Sequence, residues 1–249
     1  ELSLAQSRLI EVQKELAQKD KMAALGRFSA GIAHEINNPL GTILVTASML
    51  KEAAATGSSI PPEDFDAIIE EVRRCRDIIS TLRTYTGRTQ LQLSLVTLGA
   101  FIGQIENFIR NESAFKELKL VVEKPANEHL GLMIDSKAMQ QVFSNLARNA
   151  LEAMHDIDPK TMRIGSEIFQ DHVKIKVQDH GRGFECLPEH IFEPLFTTKA
   201  QGTGLGLVIC QAIIDGHHGK IEATRLESGI TEFCIQLPVA ETFNKNTEE

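Results

Sequence analysis

The chain has 249 residues, of which 42% are hydrophobic and 24% charged, and its formal net charge is −8. This composition is typical of a soluble globular protein with one or two domains. The negative charge and the lack of a basic block argue against nucleic acid as the main partner. No apolar run approaches the roughly 20 residues of a membrane span, and no signal peptide stands at the start, so we expect a cytoplasmic chain.

Residues 1–33 carry a seven-residue repeat of apolar and small side chains. One seam consists of Leu2, Leu9, Leu16, Ala23 and Ala30, and the other of Ala5, Val12, Lys19, Gly26 and Ala33. Such spacing predicts a coiled coil, and we assign residues 1–20 to a coiled-coil linker helix.

The apolar spacing continues beyond this repeat, so we expect the helix to pass Pro39 and to end near Ala55. Residues 56–64 have loop composition, and a second helix follows them. The predicted seam positions are Ile36, Leu40, Ile43, Ala47 and Leu50 in the first helix, and Phe65, Ile68, Val72, Cys75, Ile79 and Leu82 in the second. A lone antiparallel hairpin cannot cover such a seam, whereas a four-helix bundle of two hairpins can. We therefore expect residues 21–90 to form a homodimer.

Residues 91–240 alternate between strand-like and helical stretches. Strands are predicted at 91–98, 118–124, 162–169, 173–179, 220–227 and 230–238, and helices at 97–112, 135–154 and 205–219. Helices segregated from a mixed sheet make an α+β domain. The polar tail at 241–249 is predicted to be disordered.

Three motifs stand out in this second domain. "NLARNALEA" puts Asn145 and Asn149 four residues apart, on one face of a helix. "DHGRGF" places Asp179 at the end of a strand and follows it with two glycines, and "GTGLGL" at 202–207 opens a helix with three more. Each motif alone is a weak indicator, and the last one lacks the preceding strand of a dinucleotide-binding fingerprint.

In this order the motifs resemble the N, G1 and G2 boxes of the GHKL-type ATP-binding fold, which occurs in sensor histidine kinases, DNA gyrase and related chaperones. "EPLFTTK" at 193–199 resembles the F box of that family, and "GITEFCIQLP" at 229–238 resembles its closing strand. The resemblance covers about residues 97–240 and implies an α+β ATP-binding sandwich with ATP and Mg²⁺ as cofactors.

The resemblance also implies roles for the polar residues. Asn149 offers an amide oxygen to Mg²⁺, a hard ion that prefers oxygen ligands, and Asn145 can reach the same ion or a phosphate. Asp179 resembles the adenine reader, whose carboxylate accepts from the exocyclic amine. Thr231 resembles the threonine that contacts adenine through water.

The remaining implied contacts concern the nucleotide's phosphates and the loops around it. Gly181 and Gly183 let the backbone pass close to the base. Arg148 and Lys199 are each either a phosphate-neutralising cation or a solvated surface cation. The residues implied for the mobile lid and for the start of the helix that binds phosphates are Gly202, Thr203, Gly204, Leu205 and Gly206.

Asn145 separates two branches of this family. The members that hydrolyse ATP carry a glutamate at that position, which activates water as a general base. An amide cannot act as a base, so we expect ATP binding with poor hydrolysis and a phosphate acceptor elsewhere. The neighbours His217 and His218 offer no metal-ligand geometry, and we expect them to be surface or turn residues.

"AHEINNPLG" at 33–41 supplies a candidate acceptor. Because a helix turns about 100° per residue, His34 should face away from the apolar seam. "HEINNPL" resembles the H box of dimeric sensor histidine kinases, whose hairpin carries the phosphorylated histidine. The resemblance implies His34 as acceptor, Glu35 as general base and Asn38 as a residue that orients water in phosphatase activity. Pro39 predicts a bend in the helix.

The resemblance as a whole implies an all-α helical hairpin in a dimeric four-helix bundle, followed by the α+β GHKL-type sandwich. It implies a sensor histidine kinase core that autophosphorylates His34 and passes the phosphoryl group to an aspartate of a response-regulator receiver domain. An upstream sensor domain, and any membrane anchor, would lie in a longer parent protein. Two alternatives stay open, which are an ATPase working through a conformational cycle and a dimeric scaffold with a relic nucleotide pocket.

Overall fold

The computed structural model describes residues 33, 36–57, 59–85, 91–184, 190–194, 196–197, 204–226 and 229–240. The chain divides into two compact units, Glu1–Thr89 with Thr197–Leu205, and Gln90–Phe196 with Gly206–Glu249. The predicted coiled coil at 1–20 and the predicted tail at 241–249 lie outside the described residues. None of the helices in the described ranges is both long and apolar enough to cross a membrane.

The first unit contains two long helices. Helix α1 includes residues 36–56 and continues through Pro39, as the apolar spacing predicted. Helix α2 spans Pro62–Tyr85. Its first residue is a proline, whose missing N–H costs nothing at a helix start, and the next two, Glu63 and Asp64, complement the positive end of the helix dipole.

The apolar residues of these helices fall into a buried set and an exposed set. Pro39, Leu50 and Ile78 are buried. Half-exposed residues of the predicted seam are Leu40, Phe65, Val72 and Ile79, as expected where no second hairpin covers them. We define the exposed apolar stripe as Leu40 and Leu44 of α1 with Phe65, Ile69, Val72 and Ile79 of α2. The sequence could not separate the two sets, because both recur at helical spacing and only packing decides which set is covered.

The second unit is an α/β domain. Its strands are β1 Ser94–Thr97, β2 Lys119–Val122, β3 Gly131–Ile134, β4 Thr161–Ile168, β5 His172–Asp179, β6 Lys220–Arg225 and β7 Thr231–Pro238. Its α-helices are α3 Leu98–Asn111, α4 Ser136–Ala153 and α5 Gly206–Gly216, and short 3-10 turns occur at Ser113–Phe115 and His190–Phe192. The sequence prediction missed β3, which is only four residues long and lies two residues before a helix.

Five strands form one mixed sheet in the order β2-β4-β5-β7-β6, with β2 parallel to β4 and the other pairs antiparallel. Strands β1 and β3 pair antiparallel in a separate two-stranded sheet. One face of the large sheet packs its alternate residues, such as Val173, Ile175 and Val177, into a core shared with the three helices. In that core the rings of Phe101 and Phe143 meet edge to face, 6.0 Å apart. The predicted α+β fold class is confirmed.

Candidate functional site

Two polar residues are buried side by side at the end of the sheet. Asp179 ends β5 and pairs in register with Thr231, the first residue of β7. They are 5% and 4% exposed, respectively. The Thr231 hydroxyl has no hydrogen-bond partner in the described part of the chain. A buried polar atom without a partner is costly, so a hydroxyl beside a carboxylate fits a ligand or a bound water at this position.

The loop after Asp179 depends on two glycines. The Gly181 N–H donates to Asp179 Oδ1 at 2.8 Å, which orients the carboxylate. A Cβ on Gly181 would lie only 2.5 Å from the Cβ of Ala153 at the end of α4, so no other residue fits there. Gly183 has φ +70°, a conformation that favours glycine. These two residues let the loop run tightly against α4.

Helix α4 carries the predicted asparagine pair beside this loop. Asp135 caps the helix by accepting from the N–H groups of Lys137 and Ala138. Asn145 and Asn149 lie one turn apart and are partly buried, whereas Arg148 is exposed. Because Arg148 is exposed, it fits both interpretations, a phosphate ligand and a solvated surface charge.

Asn145 joins α4 to the start of α5. Its Nδ2 donates to the carbonyl of Gly206 at 3.1 Å and lies 3.9 Å from Cys210 Sγ. Burial raises the pKa of the Cys210 thiol to about 12, so that thiol stays protonated. A carboxylate at this position could not donate to the Gly206 carbonyl and would face it with like partial charge. The structure therefore gives Asn145 a contact that the sequence did not predict.

His217 is a turn residue, which is one of the two predicted alternatives, but it is buried. It lies in the turn after α5 and is only 2% exposed. Its Nε2 accepts from the Asp135 N–H at 2.9 Å, and its Nδ1 donates to the Ile213 carbonyl at 2.7 Å. Burial lowers the pKa of His217, so the ring is held neutral. The sequence analysis did not predict the burial of this turn residue, because its partner Asp135 is 82 residues earlier in the chain.

Asp135 also holds the segment that enters this unit. Its Oδ2 accepts from the Gln92 N–H at 2.8 Å. Partial burial raises the pKa of Asp135, but the backbone donors of Gln92, Ala138 and Lys137 outweigh it and hold the pKa below its usual value. The described residues include no cluster of His, Cys, Asp and Glu that could hold a metal ion.

Several predicted site residues lie outside the described part of the chain. They are His34, Glu35, Lys199, Gly202 and Thr203. Asn38 is described and is exposed on α1. Leu205 is buried, and Gly204 immediately precedes it. The structure thus brings together Asp179, Gly181 and Thr231 of the predicted site. The acceptor role of His34 stays a prediction.

One residue near this site was missed by the sequence analysis. Arg225 ends β6, and its guanidinium lies beside Gly183. The only signal in the sequence was the alternation of the strand, which puts Arg225 on the same face as Ile221 and Ala223. Its neighbours across the sheet could not be known without the register of the strands.

Two protein families match the chain. Residues 24–89 match the His Kinase A (phospho-acceptor) domain. Residues 134–241 match the histidine kinase-, DNA gyrase B-, and HSP90-like ATPase family. Together these matches include the H-box motif and all the motifs of the nucleotide site.

Individual proteins agree with these family matches. Sensor histidine kinase ZraS of Escherichia coli O157:H7 is 34% identical over 232 residues, which are 92% of this chain and 49% of ZraS. The chain thus spans about half the length of that relative. The solved catalytic domain of histidine kinase ThkA is 33% identical, with a TM-score of 0.51, over 59% of this chain and 96% of that domain.

A longer solved structure extends the likeness of fold to both units. The crystal structure of ThkA in complex with response regulator protein TrrA matches 94% of this chain and 67% of that chain, with a TM-score of 0.70. At 24% identity this likeness concerns the fold alone. The family matches and the ThkA catalytic domain together lead to one conclusion: the chain belongs to the histidine kinases.

Proposed function

We propose that the chain phosphorylates His34 with ATP and then passes the phosphoryl group to an aspartate of a response-regulator receiver domain. The observation that carries this proposal is the buried pair Asp179 and Thr231, whose unpartnered hydroxyl fits an adenine base with a bridging water. The match of residues 24–89 to a phospho-acceptor domain supports His34 as the acceptor. An upstream sensor domain would regulate the activity in the whole protein.

In this proposal the base and the phosphates of ATP meet different parts of the chain. Asp179 accepts from the exocyclic amine of adenine, and its position is fixed by the Gly181 N–H. Thr231 donates through water. The proposed phosphate-binding residues are Arg148, Lys199, Gly202, Thr203, Gly204, Leu205 and Gly206. Backbone N–H groups at the start of α5 favour negative charge there.

The polar face of α4 also fits a magnesium ion. Asn149 is the proposed ligand, through its amide oxygen. Asn145 donates its amide N–H groups to the Gly206 carbonyl and toward Cys210 Sγ, so its oxygen remains for the ion, whereas a contact with phosphate would need those N–H groups. When bound, Mg²⁺ neutralises the charge of the phosphates during transfer.

The proposed transfer has two steps. A ring nitrogen of neutral His34 attacks the γ-phosphorus in line, the bond to the bridging oxygen breaks, and ADP leaves. Glu35 accepts the proton from the other ring nitrogen, which makes the attacking nitrogen more nucleophilic. In the second step an aspartate oxygen of the regulator attacks the phosphorus, and the phosphorus–nitrogen bond breaks.

Asn145 favours this function over ATP hydrolysis. A hydrolysing relative would need a carboxylate at that position to take a proton from water. Here the amide donates to the Gly206 carbonyl and contacts the buried Cys210, so it is part of the packing between α4 and α5. We therefore expect little loss of ATP to water.

Asn38 supports a second activity. It is exposed on α1, four residues after His34. Residues four apart lie on the same helix face, so the Asn38 amide could orient a water molecule against a phosphorylated regulator docked there. We include phosphatase activity on the regulator in the proposed function.

The exposed apolar stripe supports a homodimer. Leu40, Phe65 and Val72 are each about half exposed, and large exposed patches of this kind mark interaction surfaces. A second hairpin of the same chain would cover the stripe in a four-helix bundle. We propose this homodimer, with residues 21–90 as the dimerisation hairpin and 91–240 as the ATP-binding domain.

Incubation with Mg²⁺ and γ-labelled ATP tests the kinase activity. We expect the protein to acquire label that survives base and is lost in acid, as phosphohistidine does. His34→Gln should abolish the label and keep ATP binding, whereas His155→Gln, at an exposed histidine of the ATP-binding domain, should keep the label. Asn149→Asp should abolish the label and leave the dimer intact. Label that persists in His34→Gln would overturn the proposal.

A further inference from the structure

Arg225 belongs to the same row of the sheet as the two buried polar residues. Thr231 pairs with Asp179 on one side and with Arg225 on the other. Directly opposed residues of neighbouring strands point to the same face, so the three side chains form one row. With strands about 4.8 Å apart, the Cα atoms of Arg225 and Asp179 are about 10 Å apart. A base bound at Asp179 and Thr231 would lie within reach of an arginine side chain.

The Arg225 side chain turns toward the loop that follows Asp179. A Cβ on Gly183 would lie 3.1 Å from Arg225 Nε, 3.3 Å from its Cδ and 3.4 Å from its Cζ. The guanidinium therefore packs on the backbone of that loop, against a residue with no side chain. Gly183 leaves room for the arginine, and the arginine becomes one wall of the space beside Asp179.

Two polar groups in this row lack protein partners. The buried Thr231 hydroxyl has none in the described part of the chain. The Arg225 side chain is exposed and forms no hydrogen bond or ion pair with the side chains that the structure describes. The buried hydroxyl points to a ligand as its missing neighbour, whereas the exposed guanidinium of Arg225 is solvated by water and can turn to such a ligand.

We propose that Arg225 is a further nucleotide-contacting residue, which packs its guanidinium against the purine base from the Gly183 side. This assignment rests on the proposed binding of ATP at Asp179. Guanidinium groups are planar and weakly hydrated, and they stack on aromatic faces. In this proposal Asp179 and Thr231 bind the edge of the base, whereas Arg225 packs on its face.

A contact with the base has a measurable signature. Its contribution is the same for adenosine, ADP and ATP, because all three carry the same base. A contact with phosphate would instead grow with the number of phosphates and would weaken with salt. A cation stacked on an aromatic ring contributes roughly a tenfold change in affinity.

The test uses the 249-residue chain and competition of adenosine, ADP and ATP against a fluorescent ATP analogue. Arg225→Ala should weaken all three ligands by about the same factor, near tenfold. Arg225→Lys keeps the charge but loses the plane, and it should restore little of the affinity. Arg163→Ala is the control, because Arg163 is paired with Glu123 on the opposite face of the sheet. It should leave the affinities for adenosine, ADP and ATP unchanged.

An NMR measurement distinguishes an Arg225 side chain that contacts the base from one that only stabilises the loop at Gly183. On addition of adenosine, the NMR signal of the Arg225 Nε–H should shift through the ring current of the base, and that of Arg163 should not. Unchanged affinities in Arg225→Ala, a loss that increases from adenosine to ATP, or an unmoved Arg225 signal would each overturn the assignment. A wild-type chain that binds no adenine nucleotide would overturn the proposed function itself, and this assignment with it.

Discussion

The helical hairpin and the α/β domain differ in how completely they cover their apolar residues. Phe65 of the hairpin is 51% exposed, whereas Phe101 and Phe143 of the α/β domain are fully buried. The α/β domain closes its core within one chain, between a sheet and three helices. The hairpin leaves a stripe uncovered, as expected of an element that is completed by a partner. The two units thus differ in whether one chain alone covers their apolar residues.

The largest expected effect lies in the closed core. Phe143→Ala removes a fully buried ring that packs on Phe101, and it should cost about 3–5 kcal/mol of the α/β domain's free energy of unfolding. Calorimetry of the chain would show this as a lower melting temperature. Phe169→Ala, at an exposed ring of the same domain, should cost much less. Equal losses in the two variants would contradict a closed core around Phe143.

The second prediction concerns the exposed stripe. Val72→Asp should raise the dissociation constant of the proposed dimer by about 100-fold or more, because it places an unpaired charge in an apolar interface. Analytical ultracentrifugation measures the change. Leu95→Asp makes the same kind of substitution at a half-exposed residue of the α/β domain and should leave the dimer unaffected. If Leu95→Asp dissociates the dimer and Val72→Asp does not, the interface lies in the other unit.

The third prediction concerns the joint between α4 and α5. Asn145→Asp loses the donor to the Gly206 carbonyl and should destabilise the start of α5 by about 1–3 kcal/mol. Faster amide hydrogen exchange in the first turn of α5, measured without nucleotide, would report this loss. Asn111→Asp, at an exposed asparagine that also donates to a backbone carbonyl, is the matched control. An unchanged exchange rate without nucleotide would leave Asn145 a role only in ligand binding.

The smallest expected effect is a pH dependence from His217. Burial lowers its pKa in the folded state, so the unfolded chain binds a proton more readily than the folded one. Its contribution to stability is complete above about pH 6.5, the ordinary histidine pKa, and is lost as pH falls towards the lowered folded value. The charged groups facing it are Asp135 and His218.

Urea unfolding at pH 7.5 and at pH 5.5 would measure this dependence. His217→Gln should reduce the difference between the two free energies of unfolding, whereas His129→Gln, at an exposed histidine of the same domain, should keep it. A wild-type difference that survives intact in His217→Gln would assign the pH dependence to other groups.

Local patterns were enough to predict most elements. The apolar periodicity of α4 predicted that helix to within a residue or so of its observed ends, and the structure shows Asp135 as its cap. The alternation of β5 and β7 predicted their strands in the same way. The sequence prediction missed β3, because four residues are too few to show a pattern and because its partner strand, β1, is 37 residues earlier. Short elements that depend on distant pairing carry little local signal.

The sequence by itself determined the family and predicted the residues of the candidate site, because motifs such as "DHGRGF" place carboxylate and glycines at fixed local spacing. Only the tertiary structure decided which side chains meet across long separations. It set Arg225 beside Gly183, joined Asn145 to Gly206, buried His217 against Asp135, and left Phe65 and Val72 uncovered. The physical reason is that residue type and spacing fix local conformation, whereas strand register and helix packing fix which distant groups become neighbours.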